Sequence, residues 1–214
     1  MPSTLIDPLA HLMALLGAPP RHRIMIGIAG APGAGKSTLA HQLVDAVNAQ
    51  MPDVYATVLG MDGFHLSKAQ LRQLPDPELA FARRGAPWTF DVSGFIEALQ
   101  RIRIGHETTW PDFAHDVGDP VPDAIAVTPQ AQLIIVEGLY LLHDADGWGV
   151  AKPLFDECWY LNTPMDVAME RLAHRHMQAW GFTRAQAQHR IDSSDGLNAA
   201  LVAASALHAD WYVG

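Results

Sequence analysis

The amino-acid sequence predicts an α/β fold with a doubly wound, mostly parallel sheet. Short all-apolar runs alternate with segments of helical periodicity, which is the pattern of parallel strands covered by helices on both faces. The chain has 214 residues, which fits one domain, and 49% of them are hydrophobic, which is enough to build a core. We therefore expect residues 1–214 to fold as a single domain.

The individual elements follow from the same patterns. Strands are predicted at residues 24–29, 54–59 and 133–136, with shorter candidates at 158–161 and 211–213. Helices are predicted at residues 36–48, 91–104 (capped by Asp91 or Ser93) and 164–180, and residues 1–20 carry the apolar stripe of a packing helix. Two segments rich in Pro, Gly and Asp, 74–88 and 110–129, are predicted as loops.

Composition and charge exclude several classes of protein. Fourteen Lys and Arg against 23 Asp and Glu give a net charge of -9, which argues against a nucleic-acid partner. No run approaches the roughly 18 apolar residues of a membrane-spanning helix, and no Lys or Arg precedes the apolar N-terminal stretch, so no signal peptide is predicted. The single cysteine, Cys158, favours a reducing, cytoplasmic location.

The strongest motif is GAPGAGKS, which matches the phosphate-binding pattern G-x-x-x-x-G-K-[ST] between a predicted strand and a predicted helix. Backbone amides of such a loop surround a phosphate, and the helix N-terminus adds its dipole. We expect Lys36 to reach the β- and γ-phosphates and Ser37 to complete the ligand shell of Mg²⁺. The predicted nucleotide-binding residues are Gly30, Ala31, Pro32, Gly33, Ala34, Gly35, Lys36, Ser37 and Thr38.

Two classes of nucleotide-binding protein lack their signatures in this sequence. None of Asn48, Asn162 and Asn198 is followed by lysine, so the N-K-x-D element of guanine-specific switch proteins is missing. The Ser-Gly-Gly signature of transporter ATPases is missing as well. A small phosphotransferase or an unusual ATPase remains.

Carboxylates follow two of the predicted strands. Asp62, in MDGFHL, could accept the proton of an attacking hydroxyl or hold a magnesium-bound water. Glu137 ends the run LIIV, in the form of a Walker B strand, and could lie beside Mg²⁺ or orient a reacting group. An ordinary Asp-Gly turn and a solvated strand end are the structural alternatives. His65 fits a substrate ligand and a polar loop residue equally well.

Arginines are concentrated in residues 164–190, which we predict to form a lid. Arg171 and Arg175 lie four residues apart, on one face of the predicted helix, where they could stabilise the charge that develops during phosphoryl transfer. The alternative is a solvated face on which Asp166 and Glu170 pair with the arginines.

The order of these motifs resembles the uridine kinase, phosphoribulokinase and pantothenate kinase group of P-loop kinases. GAPGAGKST, MDGFHL, ARRGAPWTFD, WPDFAHDVGDP, LIIVEGLYLL, the arginine-bearing helix and ADWYV follow one another as in that group, from residue 24 to the C-terminus. The DGFH and RRGAPWTFD segments are most similar to fructose transport system kinases and uridine kinase-like proteins. The run PDFAHDVG departs from the Y-D-F-x-x-H-x-R of uridine kinases, which argues against a pyrimidine substrate.

The resemblance implies an ATP- and Mg²⁺-dependent kinase that phosphorylates a hydroxyl of a small metabolite. It implies Lys36, Asp62 as base, and Arg171 or Arg175 on a mobile lid as catalytic residues. Ser37, Asp62 and Glu137 would serve the metal. The acceptor pocket would be lined by His65, Arg84, Trp88, Phe90, Asp112, His115 and Glu137.

The acidic charge suggests which acceptor is bound. Residues 104–151 contain eight acids and no Lys or Arg, and we expect them to wall the acceptor pocket, which favours a neutral sugar or polyol over an anion. A nucleoside or pantothenate-like kinase is one alternative, and an ATP-binding regulator without kinase activity is another. The oligomeric state stays open, with a homodimer as one option.

Together, the strand pattern, the phosphate-binding motif and the family resemblance predict a P-loop nucleoside triphosphate hydrolase sheet with a helical lid.

Overall fold

A computed structural model describes residues 5–18, 23–114 and 117–214 of the chain. Its strands are β1 (Ile24–Ala29), β2 (Tyr55–Gly60), β3 (Thr108–Ala114), β4 (Asp119–Val127), β5 (Ala131–Gly138), β6 (Glu157–Leu161) and β7 (Trp211–Val213). Its helices are α1 (Pro8–Gly17), α2 (Lys36–Gln50), α3 (Lys68–Leu71), α4 (Pro77–Ala82), α5 (Val92–Arg103), α6 (Met165–Trp180), α7 (Arg184–Arg190) and α8 (Gly196–Ser205). A π-helical turn, Ile191–Asp195, joins α7 to α8.

Five strands form one parallel sheet in the order β2-β5-β1-β6-β7. β1, which leads into the phosphate-binding loop, lies at its centre and pairs with β5 and β6. All five predicted strands are present, and the α/β prediction is confirmed. Because the strands are parallel, their carboxyl ends meet at one edge of the sheet, where ligands bind in folds of this kind.

The sheet is buried on both faces, as a doubly wound fold requires. Along β1, Ile24, Ile26 and Ile28 pack into the apolar core beneath α1 and α2. The alternate residue Met25 belongs to the opposite core, which contains Phe95 of α5. This alternation explains the all-apolar sequence of β1, since its side chains on both faces are removed from water.

The helices begin and end close to the predicted positions. Asp91 caps α5 by accepting a hydrogen bond from the Gly94 amide at 2.9 Å. The N-terminal segment forms α1, whose Leu12 and Leu16 are buried in the same core as β1. Residues 1–4, 19 and 20 of the prediction lie outside the described residues. No helix in the described part of the chain is both long and apolar enough to cross a membrane.

Both predicted loops contain regular structure, so these two predictions were wrong. Residues 74–88 include α4, which Asp76 caps through the Leu79 amide at 2.9 Å. Residues 110–129 form most of the antiparallel hairpin β3–β4, which has an irregular register between Trp110 and Asp112. Proline is tolerated there because both strands of a two-stranded hairpin are edge strands. The hairpin packs on the short helix Met61–Phe64 that follows β2.

Candidate active site

The loop after β1 takes the shape of a phosphate-binding loop. Gly33 and Gly35 have φ angles of 78° and 99°, in the left-handed region that glycine adopts at little cost, and α2 begins directly after them at Lys36. A Cβ atom on Gly33 would lie 2.2 Å from the carbonyl oxygen of Ala168. The loop is therefore pressed against the first turn of α6, and the predicted lid helix starts in contact with it.

Lys36 is buried at the base of this loop. Its Nζ donates a hydrogen bond to the carbonyl oxygen of Ala31 at 3.1 Å. Burial lowers the pKa of Lys36, the charges of Glu137 and Asp62 raise it, and Arg175 lowers it further. An ammonium group thus lies among two carboxylates and a guanidinium, at the position where the sequence motif places phosphate oxygens.

Glu137 faces Lys36 and Ser37 from the end of β5. The register aligns Glu137 with Ile28 of β1 and with Gly60 of β2, so its carboxylate lies where three strands end. The hydroxyl of Ser37 donates to Glu137 Oε1 at 2.9 Å. Burial raises the pKa of Glu137, while Lys36 and the Ser37 hydrogen bond lower it.

The oxygen atoms around Ser37 fit a magnesium ion. Mg²⁺ prefers hard oxygen ligands and commonly takes one or two carboxylates, with phosphates and water completing its octahedron. Ser37 and Glu137 are hydrogen-bonded, and Asp62 is near enough to act on the pKa of Glu137. In the described ranges no group of three or more His, Cys, Asp and Glu could hold a metal alone. Ser37 and Glu137 thus offer two oxygen atoms of the kind that Mg²⁺ prefers.

Two arginines of α6 face the phosphate loop. Arg171 Nη1 lies 3.4 Å from the carbonyl oxygen of Ala34, and Arg175 acts on the pKa of Lys36. Thr163, which the sequence patterns did not identify, donates from Oγ1 to the same carbonyl at 2.9 Å. Its position directly after β6 was the available signal. A cavity of about 680 Å³ is lined by Gly33, Ala34, Gly35, Lys36, Ser37, Thr38, Leu39, Gln42, Leu161, Thr163, Arg171 and Arg175.

The other arginines of residues 164–190 have different partners. Arg184 forms an exposed, bidentate ion pair with Glu170, as the solvated-face alternative predicts. Arg190 instead donates to the carbonyl oxygens of Ala82 and Arg84 at 2.7 and 2.8 Å. Residues 164–190 thus include a face toward the phosphate loop, a solvated face, and an arginine that is bonded to the end of α4 and to the turn after it.

Asp62 lies in the short helix Met61–Phe64 that follows β2, and His65 comes directly after that helix. His65 Nδ1 is 2.7 Å from the backbone oxygen of Asp62, and its ring packs at 4.0 Å from Phe90 and 4.8 Å from Phe113. The side chain of Asp62 remains 47% exposed. A carboxylate open to solvent beside the phosphate loop is accessible to a hydroxyl-bearing molecule.

The remaining acceptor-pocket predictions fall into different environments. Phe90 is buried in an aromatic cluster, where its ring also contacts Tyr140 and Trp148. Trp88 is 43% exposed and lines a separate groove, to which no phosphate-loop residue contributes. Asp112 is exposed on β3, next to Phe113, whose amide donates to it. His115 lies outside the described residues.

Arg84 has a structural role in this architecture. Its guanidinium donates to the carbonyl oxygens of Gly118 and Leu66 and pairs with Asp119 at 3.0 Å. It also lies over the ring of Phe113, 5.5 Å from its centroid. These contacts connect the turn after α4 to the hairpin and use both terminal nitrogens of Arg84. Arg84 therefore holds the hairpin in place.

The acids of residues 104–151 that the structure describes, which exclude Asp116, do not wall one pocket, so this expectation was wrong. Glu137 lies at the phosphate loop, and Arg84 compensates Asp119. Asp144 and Asp146 lie near His208 and His143, among residues of two other surface pockets. These acids are close in sequence but lie at separate sites in the fold, so their charge does not favour a neutral acceptor.

The chain resembles known kinases over most of its length. The model of the "Phosphoribulokinase / Uridine kinase family" matches residues 25–196. A Schizosaccharomyces pombe protein named "Putative uridine kinase C227.14" is 39% identical over 185 residues, which are 85% of this chain and 79% of that protein. The "ATP-dependent kinase-like protein notR'" of Aspergillus versicolor is 44% identical over 146 residues, or 65% of this chain and 84% of that one.

A solved structure extends the similarity to the whole fold. The crystal structure of a "putative fructose transport system kinase" from Silicibacter sp. TM1040 superposes with a TM-score of 0.86 at 33% sequence identity. The superposition covers 97% of this chain and 98% of that one.

Proposed function

Because the chain belongs to the phosphoribulokinase and uridine kinase family, we propose that it transfers the γ-phosphoryl group of ATP to a hydroxyl of a sugar or polyol. The observation that carries this proposal is the convergence of Lys36, Ser37, Glu137 and Asp62 where β1, β5 and β2 end. Phosphoryl transfer needs positioning and charge neutralisation above all, and this arrangement offers both.

Each residue has a part in the proposed reaction. Lys36 and the loop amides hold the β- and γ-phosphates, and Arg171 and Arg175 neutralise charge from the side of α6. Asp62 accepts the hydroxyl proton while the hydroxyl oxygen forms a bond to the γ-phosphorus. The bond from that phosphorus to the β,γ-bridging oxygen breaks, and ADP leaves with the electron pair.

Ser37, Glu137 and Asp62 would hold Mg²⁺, directly or through its water molecules. A magnesium ion held there would supply positive charge that offsets the charge of the phosphate groups. The hydrogen bond from the Ser37 hydroxyl to Glu137 keeps both oxygens at the mouth of the loop.

The net charge of -9 supports a small-molecule acceptor over a nucleic acid, and the lone Cys158 supports a reducing compartment such as the cytoplasm. Sugars and polyols suit this site because they offer hydroxyl groups to the half-exposed carboxylate of Asp62.

A screen of ADP release tests the proposal. Purified protein with Mg-ATP is assayed with sugars, polyols, their acid and phosphate derivatives, nucleosides and pantothenate. We expect one or more of the sugar and polyol compounds to accelerate ADP release and to yield a phosphorylated product by mass spectrometry. Stimulation by nucleosides alone would assign a nucleoside kinase. Slow hydrolysis that no acceptor changes would favour an ATP-binding regulator.

A further inference from the structure

Arg83, at the end of α4, has part of its guanidinium group without a partner in the described chain. Nη2 donates to Asn198 Oδ1 at 3.1 Å. Nη1 is solvent-accessible and has no hydrogen-bond partner among residues 5–18, 23–114 and 117–214, and Nε is buried, likewise without a partner there. No carboxylate of these residues forms an ion pair with Arg83 within 4.0 Å.

The neighbouring arginines differ from Arg83 in this respect. Both terminal nitrogens of Arg84 donate to backbone oxygens, and Asp119 compensates its charge. Both terminal nitrogens of Arg190 donate to backbone oxygens as well, and Asp195 lies 3.6 Å from its Nε. The Nε atoms of Arg84 and Arg190 are buried without a hydrogen-bond partner, as that of Arg83 is. Arg83 differs from both in the described chain because one of its terminal nitrogens is open and no acid pairs with it.

A half-buried guanidinium without a counter-ion costs free energy, because burial removes water that the protein does not replace. Such groups are retained where a ligand supplies the missing partner. Guanidinium is suited to carboxylate and phosphate, which accept its parallel N–H groups.

The position of Arg83 relates it to the reacting centre. The Tyr140 hydroxyl donates to the carbonyl oxygen of Gly85 at 2.6 Å, which fixes the turn that carries Arg83. Burial raises the pKa of Tyr140, the charge of Arg83 lowers it, and the charge of Asp62 raises it. The ring of Tyr140 also packs 5.7 Å from that of Phe90, which lies 4.0 Å from the ring of His65, whose Nδ1 is 2.7 Å from the backbone oxygen of Asp62. Tyr140 and Phe90 thus connect the turn of Arg83 to Asp62, and one small molecule could meet both.

We propose that Arg83 binds an anionic group, a carboxylate or a phosphate, on the acceptor whose hydroxyl is directed to Asp62. The inference rests on the proposed function and narrows it, since the acceptor becomes an acidic sugar or polyol derivative. Asn198 is a positioning residue in this arrangement, because it holds Nη2 and leaves Nη1 toward solvent.

Matched acceptor sets test the inference. Each set contains a neutral polyol, the corresponding acid and the corresponding phosphate: glycerol, glycerate and glycerol 3-phosphate, and likewise ribitol, ribonate and ribitol 5-phosphate. We expect the wild-type protein to prefer an anionic member by at least about 10-fold in kcat/KM, the scale of one charge-assisted hydrogen bond. Whether the acid or the phosphate is preferred identifies the anion.

The variant Arg83→Gln should remove that preference. We expect KM for the anionic acceptor to rise on the order of 10- to 100-fold, with a smaller change in kcat and little change for the neutral member. Arg83→Lys should keep part of the preference because it keeps the charge. Arg101→Gln, on the exposed end of α5, serves as the matched control and should behave as wild type. Thermal unfolding establishes that each variant is folded.

The outcomes separate the two proposals. A wild-type preference for neutral members, or a preference for anions that Arg83→Gln retains, would overturn the role of Arg83 and leave the kinase proposal standing. Absence of turnover with every acceptor would overturn both.

Discussion

Buried Lys36 and Glu137 act on each other's ionisation at the end of the sheet. Glu137 raises the pKa of Lys36, and Lys36 lowers the pKa of Glu137, each against an opposite and larger effect of burial. Burial disfavours the charged form of both side chains, and each charge stabilises the charged form of the other.

Removing the lysine should expose this dependence. In Lys36→Met, we expect the pKa of the Glu137 carboxyl to rise above its wild-type value. The positive charge that lowers this pKa is removed, while burial still raises it. Carbon-13 NMR of the glutamate carboxyls as a function of pH measures the shift, and Glu137→Gln assigns the signal. A midpoint that stays constant or falls would show that the two groups do not interact.

The same raised pKa has a consequence for stability. A carboxyl whose pKa is higher in the folded chain than its unburied value of 4.5 binds protons more tightly when folded. Its contribution to the free energy of unfolding is therefore greatest below pH 4.5 and falls as the pH rises through the folded pKa. We expect the free energy of unfolding, measured by urea denaturation, to fall less between pH 4.5 and 7 in Glu137→Gln than in wild type.

Asp62→Asn should separate binding from chemistry. The variant keeps the shape of the side chain but cannot accept the hydroxyl proton, so we expect ATP affinity to persist while the transfer rate falls at least ~100-fold. Calorimetric titration of ATP and steady-state ADP release measure the two effects. Near-normal turnover in this variant would rule out Asp62 as the base.

Gly33→Ala should disrupt the contact between the phosphate loop and α6. The new Cβ would occupy a left-handed backbone position and lie 2.2 Å from the oxygen of Ala168. We expect a loss of stability of about 2 to 4 kcal/mol, from strain and overlap together, and weaker ATP binding. Gly105→Ala is the matched control, because Gly105 has a φ angle of 83° with nothing within 4 Å. It should cost about 1 kcal/mol in urea denaturation; equal losses in the two variants would contradict the overlap.

Arginines on the same segment should differ in their effect on rate. Arg171→Gln removes a charge that lines the phosphate cavity, so we expect a loss of kcat of ~100-fold. Arg184→Gln removes an exposed pair with Glu170 and should leave kcat unchanged. Similar rates for the two variants would argue against a role of α6 in transfer.

The parallel sheet, the phosphate loop and the positions of Asp62 and Glu137 could be predicted because each depends on local signals. The apolar period of β1 and the glycine spacing act over a few residues, and the carboxylates follow strands whose ends must coincide. The hairpin β3–β4 could not be recognised because proline is disfavoured in strands other than edge strands. The sequence does not show that β3 and β4 form a sheet of only two strands, both of them edge strands.

The roles of Arg83 and Arg84 could not be separated from the sequence either. The two arginines are adjacent in one motif, and their difference arises from contacts with Asn198 and with residues 118–119, which lie far along the chain. The acidic stretch misled for the same reason, since folding distributes Asp119, Asp144 and Glu137 among separate sites. Local patterns identify elements, whereas long-range contacts decide which side chains remain available.

The order of strands in the sheet has a consequence for synthesis on the ribosome. β1 is made early, but both of its neighbours come late, β5 from residue 131 and β6 from residue 157. The chain must lose the conformational entropy of closing these long loops before the strand contacts stabilise the sheet. The sheet around the phosphate loop therefore assembles late. A nascent chain that ends before β5 lacks both walls of the nucleotide site, and ATP can act as a folding ligand only once most of the polypeptide has emerged.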